Sequence, residues 1–386
     1  MKYELASSSW GTEEIEAIKR VMESGFYTFG KNVRQFEEDF ARFTDHKYSV
    51  MVNSGSSANL LAIAAMFYKK ENPLKRGDEV IVPAVSWATT YYPLYQYGLH
   101  LKFVDVDINT LNFDLKQLEA AISDRTKMIF AVNLLGNPND YDEIKRIIGN
   151  RDIYLLEDNC ESLGGEYKGK QLGSIGLIGT YSTFFSHHMS TMEGGVVATD
   201  DEELYQIILC LRSHGWTRQL PKENKLCIKS DDYFQEGWRF ILPGFNVRPT
   251  EMNGAIGIEQ LKKLPDFIRY RRSNAAYFKK LFKDDGRFLL QQEIGKSSWF
   301  GFSLIIKDDS IDRQKLLDKC TEANIDTRPI VAGNFARKDV VKYFDHEISG
   351  NLKAADFIEQ RVFFVGNHQF DITDKIDYLK LTLNTL

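Results

Sequence analysis

The sequence predicts an α/β protein whose mostly parallel sheet is covered by helices on both faces. Residues 48–200 alternate short β-rich runs with helical patterns, and this alternation is typical of parallel strands joined by crossover helices. The apolar fraction, 43%, and the charged fraction, 27%, are those of an ordinary globular protein. A length of 386 residues is enough for one large domain and one smaller domain.

Each predicted strand is a short run of β-favouring residues that is bounded by turn-forming residues. The predicted strands are Tyr48–Val52, Glu79–Val82, Leu101–Val104, Lys127–Val132, Ile153–Glu157 and Gly195–Thr199. The helices predicted between them are Ala58–Tyr68, Asp114–Ala121 and Asp142–Ile148. Because ligands bind at the carboxyl ends of the strands in such sheets, the residues after each strand are the candidate site residues.

The second part of the chain is predicted to form a smaller α/β domain. A charged hinge is expected at about 221–244, followed by a long helix from Pro249 to about Phe282. The apolar residues of this helix recur at helical spacing, at Ile256, Leu261, Leu264 and Ile268.

Beyond the long helix we expect a β-like segment at 299–306, a helix at 311–323 and an irregular tail. The predicted large domain is therefore 1–249, including an N-terminal helical arm, and the predicted small domain is 250–386.

Charge and composition limit the expected partners. The net charge is −5 and no block of five like charges occurs, so nucleic acid and membrane surfaces are not expected to bind. The N-terminus lacks the apolar core of a signal peptide, and the longest apolar run is far below the roughly 20 residues that span a bilayer. The cysteines have no metal-ligand spacing and indicate reduced thiols, which predicts a cytoplasmic protein without a metal. They are Cys160, Cys210, Cys227 and Cys320.

Three places after predicted strands suit a phosphorylated ring, although each has a plainer interpretation. The turn at 53–58 leads into an apolar helix, where backbone N–H groups and the helix dipole favour a phosphate; a serine N-cap is equally plausible. Asp158 follows another strand and could hold a pyridinium N–H, or cap a helix. Trp87 could stack on a planar ring, or pack in the core.

The segment from Ser182 to Gly195 contains two adjacent histidines, His187 and His188. A lone histidine is more often a packed or capping residue than a functional one. A pair could also indicate a metal, but no third ligand lies nearby at metal-binding spacing.

Six motifs, in this order along the chain, resemble the DegT/DnrJ/StrS family of sugar-nucleotide aminotransferases. The motifs lie at 53–58, 157–162, 182–195, 212–215, 244–248 and 254–261. The resemblance covers essentially the whole chain. It implies the fold-type I architecture of pyridoxal-phosphate-dependent transferases, with the cofactor bound by the large domain.

The resemblance implies a role for each candidate cofactor residue. Gly55, Ser56 and Ser182 would bind the cofactor phosphate, and Asn246 would reach that phosphate from the neighbouring subunit. Shared active sites of this kind imply a homodimer.

The same resemblance assigns the residues around the cofactor ring. Asp158 would pair with the pyridine nitrogen, and Trp87 would stack on the ring. Glu161 would stabilise the site next to Asp158 without contacting the cofactor directly.

In the family, the cofactor-bonding lysine follows the motif serine by five positions and precedes the motif glutamate by six. Counted from Ser182 and back from Glu193, both rules select His187, and this chain has no lysine at all between 170 and 222. Histidine can transfer protons, with an ordinary pKa near 6.5, but it cannot bond covalently to the cofactor. His188 is expected to be structural or auxiliary.

Histidine in place of lysine implies dehydration in place of amino transfer. The resemblance, together with this replacement, implies a reaction that removes the C3 hydroxyl of a nucleotide-linked 4-keto-6-deoxy sugar, GDP-4-keto-6-deoxy-D-mannose, and gives the 4-keto-3,6-dideoxy sugar and ammonia. Glutamate would regenerate pyridoxamine phosphate from pyridoxal phosphate, in colitose synthesis for the O-antigen of lipopolysaccharide. No motif specifies the nucleotide base.

The candidate substrate contacts are His214, Arg218 and Arg248, since arginine pairs well with diphosphate oxygens. Surface salt bridges are the alternative role for these residues. Three other functions remain open at this point: a sugar-nucleotide 4-aminotransferase with its lysine elsewhere, an inactive binding protein, and an iron–sulfur-dependent 3-dehydrase. The scattered cysteines argue against the last of these.

Overall fold

The computed structural model describes residues 1–385. Its helices are α1 (Thr12–Ser24), α2 (Lys31–Phe43), α3 (Gly55–Met66), α4 (Ala88–Gln96), α5 (Leu115–Ala121), α6 (Tyr141–Ile148), α7 (Glu202–Arg212), α8 (Tyr233–Glu236), α9 (Glu251–Phe282), α10 (Arg313–Glu322), α11 (Lys353–Arg361) and α12 (Thr373–Leu383). Short 3₁₀ turns lie at Leu134–Gly136, Phe335–Arg337 and Asp339–Tyr343.

The strands fall into a large sheet, a smaller sheet and a short hairpin. They are β1 (Tyr48–Val52), β2 (Glu79–Pro83), β3 (His100–Val104), β4 (Thr126–Val132), β5 (Tyr154–Asp158), β6 (Glu166–Tyr167), β7 (Lys170–Gln171), β8 (Ile178–Ser182), β9 (Gly195–Thr199), β10 (Phe288–Leu290), β11 (Gly301–Ile306), β12 (Thr327–Arg328), β13 (His346–Ile348) and β14 (Val362–Gly366).

The large sheet has the strand order β1-β9-β8-β5-β4-β2-β3-β13. The last six strands of this order pair with one another in parallel, whereas β9 is antiparallel to both β1 and β8. The prediction of a mostly parallel sheet is therefore confirmed. Strand β8 was not predicted, because Gly179 interrupts its short β-rich pattern, yet it is completely buried.

Helices cover both faces of this sheet. Helix α3 is apolar around nearly its whole circumference and is buried between the sheet and α7, as expected for a helix without a polar face. It begins at Gly55, three residues before the predicted start, because Ser54 caps it by accepting the N–H of Ser57 at 3.0 Å. On the opposite face Leu118, Tyr141 and other apolar residues of α5 and α6 pack against the strands.

The second part of the chain is built around the long helix α9 and the antiparallel sheet β10-β11-β14-β12. All four apolar residues named above for this helix are buried, which confirms the predicted helix face. The prediction of an irregular tail is wrong, since α11, β14 and α12 occupy it. Strand β14 is a five-residue apolar run, and only its pairing with β11 and β12 decides that such a short run becomes a strand.

One strand from the second part belongs to the large sheet. Strand β13 pairs in parallel with β3 at the edge of that sheet. Its Glu347 lies 2.7 Å from Lys102, and the preceding Asp345 lies 2.9 Å from the ring of His100. The domain boundary at 249/250 stays a prediction. Strand β13 follows that boundary in sequence and yet belongs to the sheet of the predicted large domain.

Each helix of residues 1–385 is either too short or too polar to cross a bilayer.

A buried ion pair joins the N-terminal helices to the sheet. Arg212, at the end of α7, has no exposed surface and contacts the carboxylate of Glu37 on α2. The same guanidinium donates to the carbonyl of Met51 at 2.7 Å, and Glu37 accepts the N–H of Met51 at 2.7 Å. Both charged side chains therefore bind the backbone of Met51 in β1, shortly before the turn that leads into α3.

We expect Arg212→Met to lower the free energy of unfolding by about 3–5 kcal/mol, because it leaves the Glu37 carboxylate buried without its cation. Urea unfolding of the full chain measures the change. The double variant Arg212→Met/Glu37→Leu is the control and should be more stable than the single variant, since no lone charge remains. A single variant as stable as the wild type would contradict this account.

Candidate active site

The carboxyl ends of three strands meet at one edge of the large sheet. Val52, the last residue of β1, and Ser182, the last residue of β8, both pair with Gly195, the first residue of β9. Asp158 ends β5, which is parallel to β8 and pairs with it. The topology thus brings together the candidate phosphate-binding turn, the candidate pyridine partner and the histidine segment.

The turn before α3 leaves no room for a side chain at Gly55. A Cβ atom there would lie 2.7 Å from the Cβ of Ser182 and 3.0 Å from the sulfur of Cys160. The first N–H groups of a helix have no partner within the helix, and those of Gly55 and Ser56 begin α3 beside the Ser182 hydroxyl. This cradle fits a phosphate dianion.

Asp158 is buried and is held by three donors. Its Oδ2 accepts hydrogen bonds from Asn59 of α3 at 2.9 Å and from Thr90 of α4 at 2.8 Å, and its Oδ1 accepts the N–H of Cys160 at 3.1 Å. Sequence reasoning missed Asn59 and Thr90. The signal for Asn59 was present, because it is a polar residue within the apolar run of α3 and is itself buried.

The two remaining candidate residues, Trp87 and Glu161, follow strands β2 and β5. The Trp87 ring immediately precedes α4 and is 57% exposed, so its face is available to a ligand. Glu161 accepts the N–H of Leu135 at 3.1 Å. Burial, opposed by that hydrogen bond and reinforced by the charge of Asp158, raises the pKa of Glu161 to about 7.

His187 is half-buried and has no hydrogen bond at Nδ1, which is a buried atom. Its ring packs edge-on against Phe300, with centroids 5.2 Å apart, and against Phe184, with centroids 5.9 Å apart. Burial lowers the pKa of His187 to about 4, and the nearby guanidinium of Arg271 contributes to this shift. The ring is therefore neutral at neutral pH, and Nε2 is the nitrogen that a substrate can reach.

His188 lies in a different environment from its neighbour. It is only 1% exposed, and its Nε2 lies 3.2 Å from the carbonyl oxygen of Ser298. A carbonyl oxygen only accepts, so Nε2 carries the proton and donates it. Burial, together with Arg271, holds the pKa of His188 well below its usual range.

The candidate substrate contacts are separated from the histidine pair. His214 has a left-handed φ of 60°, and its ring packs against Trp216. The Arg218 guanidinium lies over the rings of Trp216 and Trp238, at 4.3 and 4.8 Å from their centroids. Within residues 1–385 no hydrogen bond, salt bridge or ring contact links these side chains to the histidine pair.

Arg248 and Asn246 lie on one short segment beside the phosphate-binding turn. The Nε of Arg248 donates to the side-chain oxygen of the exposed Asn246 at 3.0 Å. The next carbonyl, that of Val247, accepts the N–H of Asn53 at 3.0 Å. This segment therefore borders the cofactor cradle, although Asn246 itself faces away from the protein.

The residues present fit a phosphorylated pyridine cofactor. A cradle with no side chain at Gly55 suits its phosphate, a buried and well-oriented carboxylate suits its ring nitrogen, and an exposed tryptophan suits the ring face. A neutral histidine, His187, lies at the position where the family resemblance predicts the covalent anchor.

Comparison with known proteins agrees with this geometry. Residues 8–378 match the DegT/DnrJ/EryC1/StrS aminotransferase family, and the chain belongs to it. This confirms the family resemblance and, with it, the predicted pyridoxal-phosphate-dependent transferase fold.

Individual relatives indicate a narrower similarity than the family model does. The chain is 58% identical over 386 residues to the GDP-4-keto-6-deoxy-D-mannose 3-dehydratase of Escherichia coli O55:H7, covering 99% of this chain and 100% of that one. It is 57% identical over 382 residues to the enzyme of the same name from Yersinia pseudotuberculosis, covering 98% and 97%. The structure of an E. coli GDP-4-keto-6-deoxy-D-mannose 3-dehydratase with bound hydrated pyridoxal phosphate matches with a TM-score of 0.98, 57% identity and 99% coverage of both chains.

We expect Gly55→Ala to raise the dissociation constant for pyridoxamine phosphate about tenfold or more, because the added methyl group collides with Ser182 and overpacking costs roughly 1–3 kcal/mol. Equilibrium titration of the cofactor, followed by fluorescence, measures the change. Gly286→Ala is the matched control, since a methyl group there meets no atom within 4 Å. Equal cofactor affinity in the two variants would show that the turn does not hold the phosphate.

Proposed function

We propose that this chain is a 3-dehydratase that acts on GDP-4-keto-6-deoxy-D-mannose, with pyridoxal phosphate and pyridoxamine phosphate as its cofactor forms. The observation that carries the proposal is a neutral, half-buried histidine in the cofactor site of a chain with no lysine between 170 and 222. The product is the 4-keto-3,6-dideoxy sugar, an intermediate of the colitose branch of O-antigen synthesis.

The ligands of solved relatives support this choice of substrates. A histidine-to-asparagine variant of a GDP-4-keto-6-deoxymannose 3-dehydratase holds GDP-perosamine, and another structure of such an enzyme holds a trapped adduct of pyridoxal phosphate with glutamate. Each is 57% identical to this chain, with a TM-score of 0.98. We infer that this chain binds a GDP-linked sugar and uses glutamate as its amino donor.

A further relative supports the choice between the two histidines. It carries a double substitution in which a histidine becomes lysine and the serine immediately before it becomes asparagine. In this chain Ser186 directly precedes His187, whereas His188 is preceded by a histidine. We therefore assign His187 as the acid–base residue, in agreement with the position count from Ser182 and Glu193.

The proposed mechanism divides the work among the chain's own residues. When bound, the cofactor supplies an electron sink that stabilises negative charge on the adjoining carbon. Asp158, oriented by Asn59 and Thr90, would hold the pyridine nitrogen, and the cradle at Gly55 would hold the phosphate. Trp87 would cover the ring.

His187 then performs both proton transfers through Nε2. As a neutral imidazole it would accept a proton from the cofactor carbon that bears the amino group. As an imidazolium it would donate that proton to the C3 hydroxyl oxygen, which leaves as water with the electron pair of the C3–O bond. The lowered pKa of His187 keeps the imidazole neutral at neutral pH, the form that accepts the first proton. Because no lysine amine is present to release an amino sugar, loss of the hydroxyl becomes the productive outcome.

We propose further that the protein is a cytoplasmic homodimer with shared active sites. Large apolar side chains are exposed on the 228–240 region, where Ile228 and Tyr233 are each 91% exposed and Phe234 is 77% exposed. A cluster of this size on one region is typical of an interface. The nearby Asn246 is also exposed, as a residue that reaches the partner's phosphate must be. All four cysteines are free, which is consistent with a reducing compartment.

The first test supplies the protein with GDP-4-keto-6-deoxy-D-mannose, pyridoxamine phosphate and glutamate, and measures ammonia and 2-oxoglutarate. We expect both products from the wild type and a loss of about 10²–10⁴-fold in kcat for His187→Asn, the usual contribution of an acid–base residue. His346→Asn, on the distant strand β13, is the matched control and should retain activity. If the wild type releases no ammonia from this or any other keto-sugar nucleotide, the proposed function is wrong.

The second test asks whether any lysine bonds to the cofactor. Borohydride should leave no cofactor adduct on the wild type, because His187 cannot form a carbon–nitrogen double bond with an aldehyde. His187→Lys restores an amine at this position and is expected to give a reduced adduct on that lysine, seen by peptide mass spectrometry. A reduced adduct on a lysine of the wild type would favour the 4-aminotransferase interpretation instead.

A further inference from the structure

We infer that His188 is a positioning residue for His187, acting by clamping the histidine segment onto residues 298–300, and this inference rests on the acid–base role proposed for His187. The clamp is the hydrogen bond from Nε2 of His188 to the carbonyl of Ser298, together with the contact of both histidine rings with Phe300.

His187 needs an external constraint because it lacks the usual one. An acid–base histidine is ordinarily held in place by a hydrogen bond from its second ring nitrogen to a carboxylate or carbonyl. The Nδ1 of His187 is buried without any such partner. Its ring direction is therefore set by packing against Phe300 and Phe184 and by the backbone that it shares with His188.

The 298–300 segment is rigid enough to serve as the fixed side of the clamp. The N–H groups of Ser298 and Phe300 donate to the carbonyls of Gly136 and Leu135, each at 3.0 Å. Trp299 between them has a left-handed φ of 49°, a conformation that a bulky residue keeps only where its surroundings fix it. Leu135 in turn donates to Glu161, which connects the segment to the cofactor site.

A buried arginine fixes the same segment from its other side. Arg271 of α9 donates to the carbonyls of Phe300 at 3.1 Å, Trp299 at 3.4 Å and Asn367 at 2.9 Å, and it has no salt bridge among residues 1–385. His188 and Arg271 thus bind consecutive carbonyls of one segment. The uncompensated guanidinium also disfavours the imidazolium form of both histidines, in line with their lowered pKa values. The clamp therefore holds a neutral ring in a fixed direction.

The clamp assigns a specific atom to His188, namely the N–H at Nε2. Glutamine at this position can place an amide N–H near that atom, whereas leucine has a similar size and no donor. We expect His188→Leu to lose about 10²-fold in kcat, the cost of misplacing a reacting group by roughly 1 Å, with little change in KM or in cofactor affinity. His188→Gln should recover a large part of that loss.

A spectroscopic measurement tests the clamp without any substrate. Full-length protein loaded with pyridoxamine phosphate is labelled with ¹³C at histidine Cε1, and the His187 signal is assigned through His187→Asn. The Phe300 ring lies close enough to shift the His187 proton by its ring current. We expect this shift to persist in His188→Gln and to diminish in His188→Leu.

The inference is overturned if the leucine variant keeps the wild-type kcat and the wild-type His187 signal, or if glutamine recovers no more than leucine. Thermal unfolding and cofactor titration verify that both variants are folded. If the leucine variant does not fold, Phe300→Leu tests the clamp from its other side: a reduced kcat at unchanged KM supports it, and an unchanged kcat overturns it. A wild type without dehydratase activity would refute the proposed function, while the histidine signals would still report on the clamp.

Discussion

The active site is organised around one buried carboxylate. Asp158 ends the central strand β5 and accepts hydrogen bonds from Asn59 of α3 and Thr90 of α4, so a single side chain joins three elements that are far apart in sequence. The same two helices begin at the cradle of Gly55 and at Trp87. Fixing Asp158 therefore also fixes where the phosphate and the ring face of a cofactor would lie.

Because no lysine lies between 170 and 222, the other residues of the site have to hold the cofactor without a covalent bond. A covalent anchor tolerates a loose pocket, whereas a noncovalent cofactor depends on every contact, which agrees with the close fit of Gly55 against Ser182. His187, which we propose in place of the lysine, has a lower pKa than a free histidine because burial disfavours its charged form. At neutral pH its ring is therefore uncharged and able to accept a proton.

The sequence predicts the strands that carry the candidate site residues. It does not predict the residues that hold those side chains in place. Strands β1 and β9 have their predicted bounds, and Asp158, Ser182 and the turn at Gly55 meet as the strand order implies. These features follow from local patterns and from parallel topology.

The supporting residues follow from contacts between distant parts of the chain. Phe300 and Ser298 contact the histidine segment from the second part of the protein, and Arg271 binds the carbonyl of Phe300. Nothing in their local sequence indicates this. Strand β14 escaped prediction for a related reason, since its identity depends on its neighbours in the sheet. The separation of the two histidines into different environments likewise depends on that second part.

The position of strand β13 limits how chimaeras of two family members can be made. It returns from the second part of the chain to complete the edge of the large sheet, and its acids meet His100 and Lys102 of β3. A chimaera that joins two family members at 249/250 would therefore place a foreign strand on that edge, with its own charges and side-chain shapes. Recombination at this boundary always takes β3 and β13 from different parents, so a chimaera keeps this edge only where the foreign β13 carries acids that match His100 and Lys102.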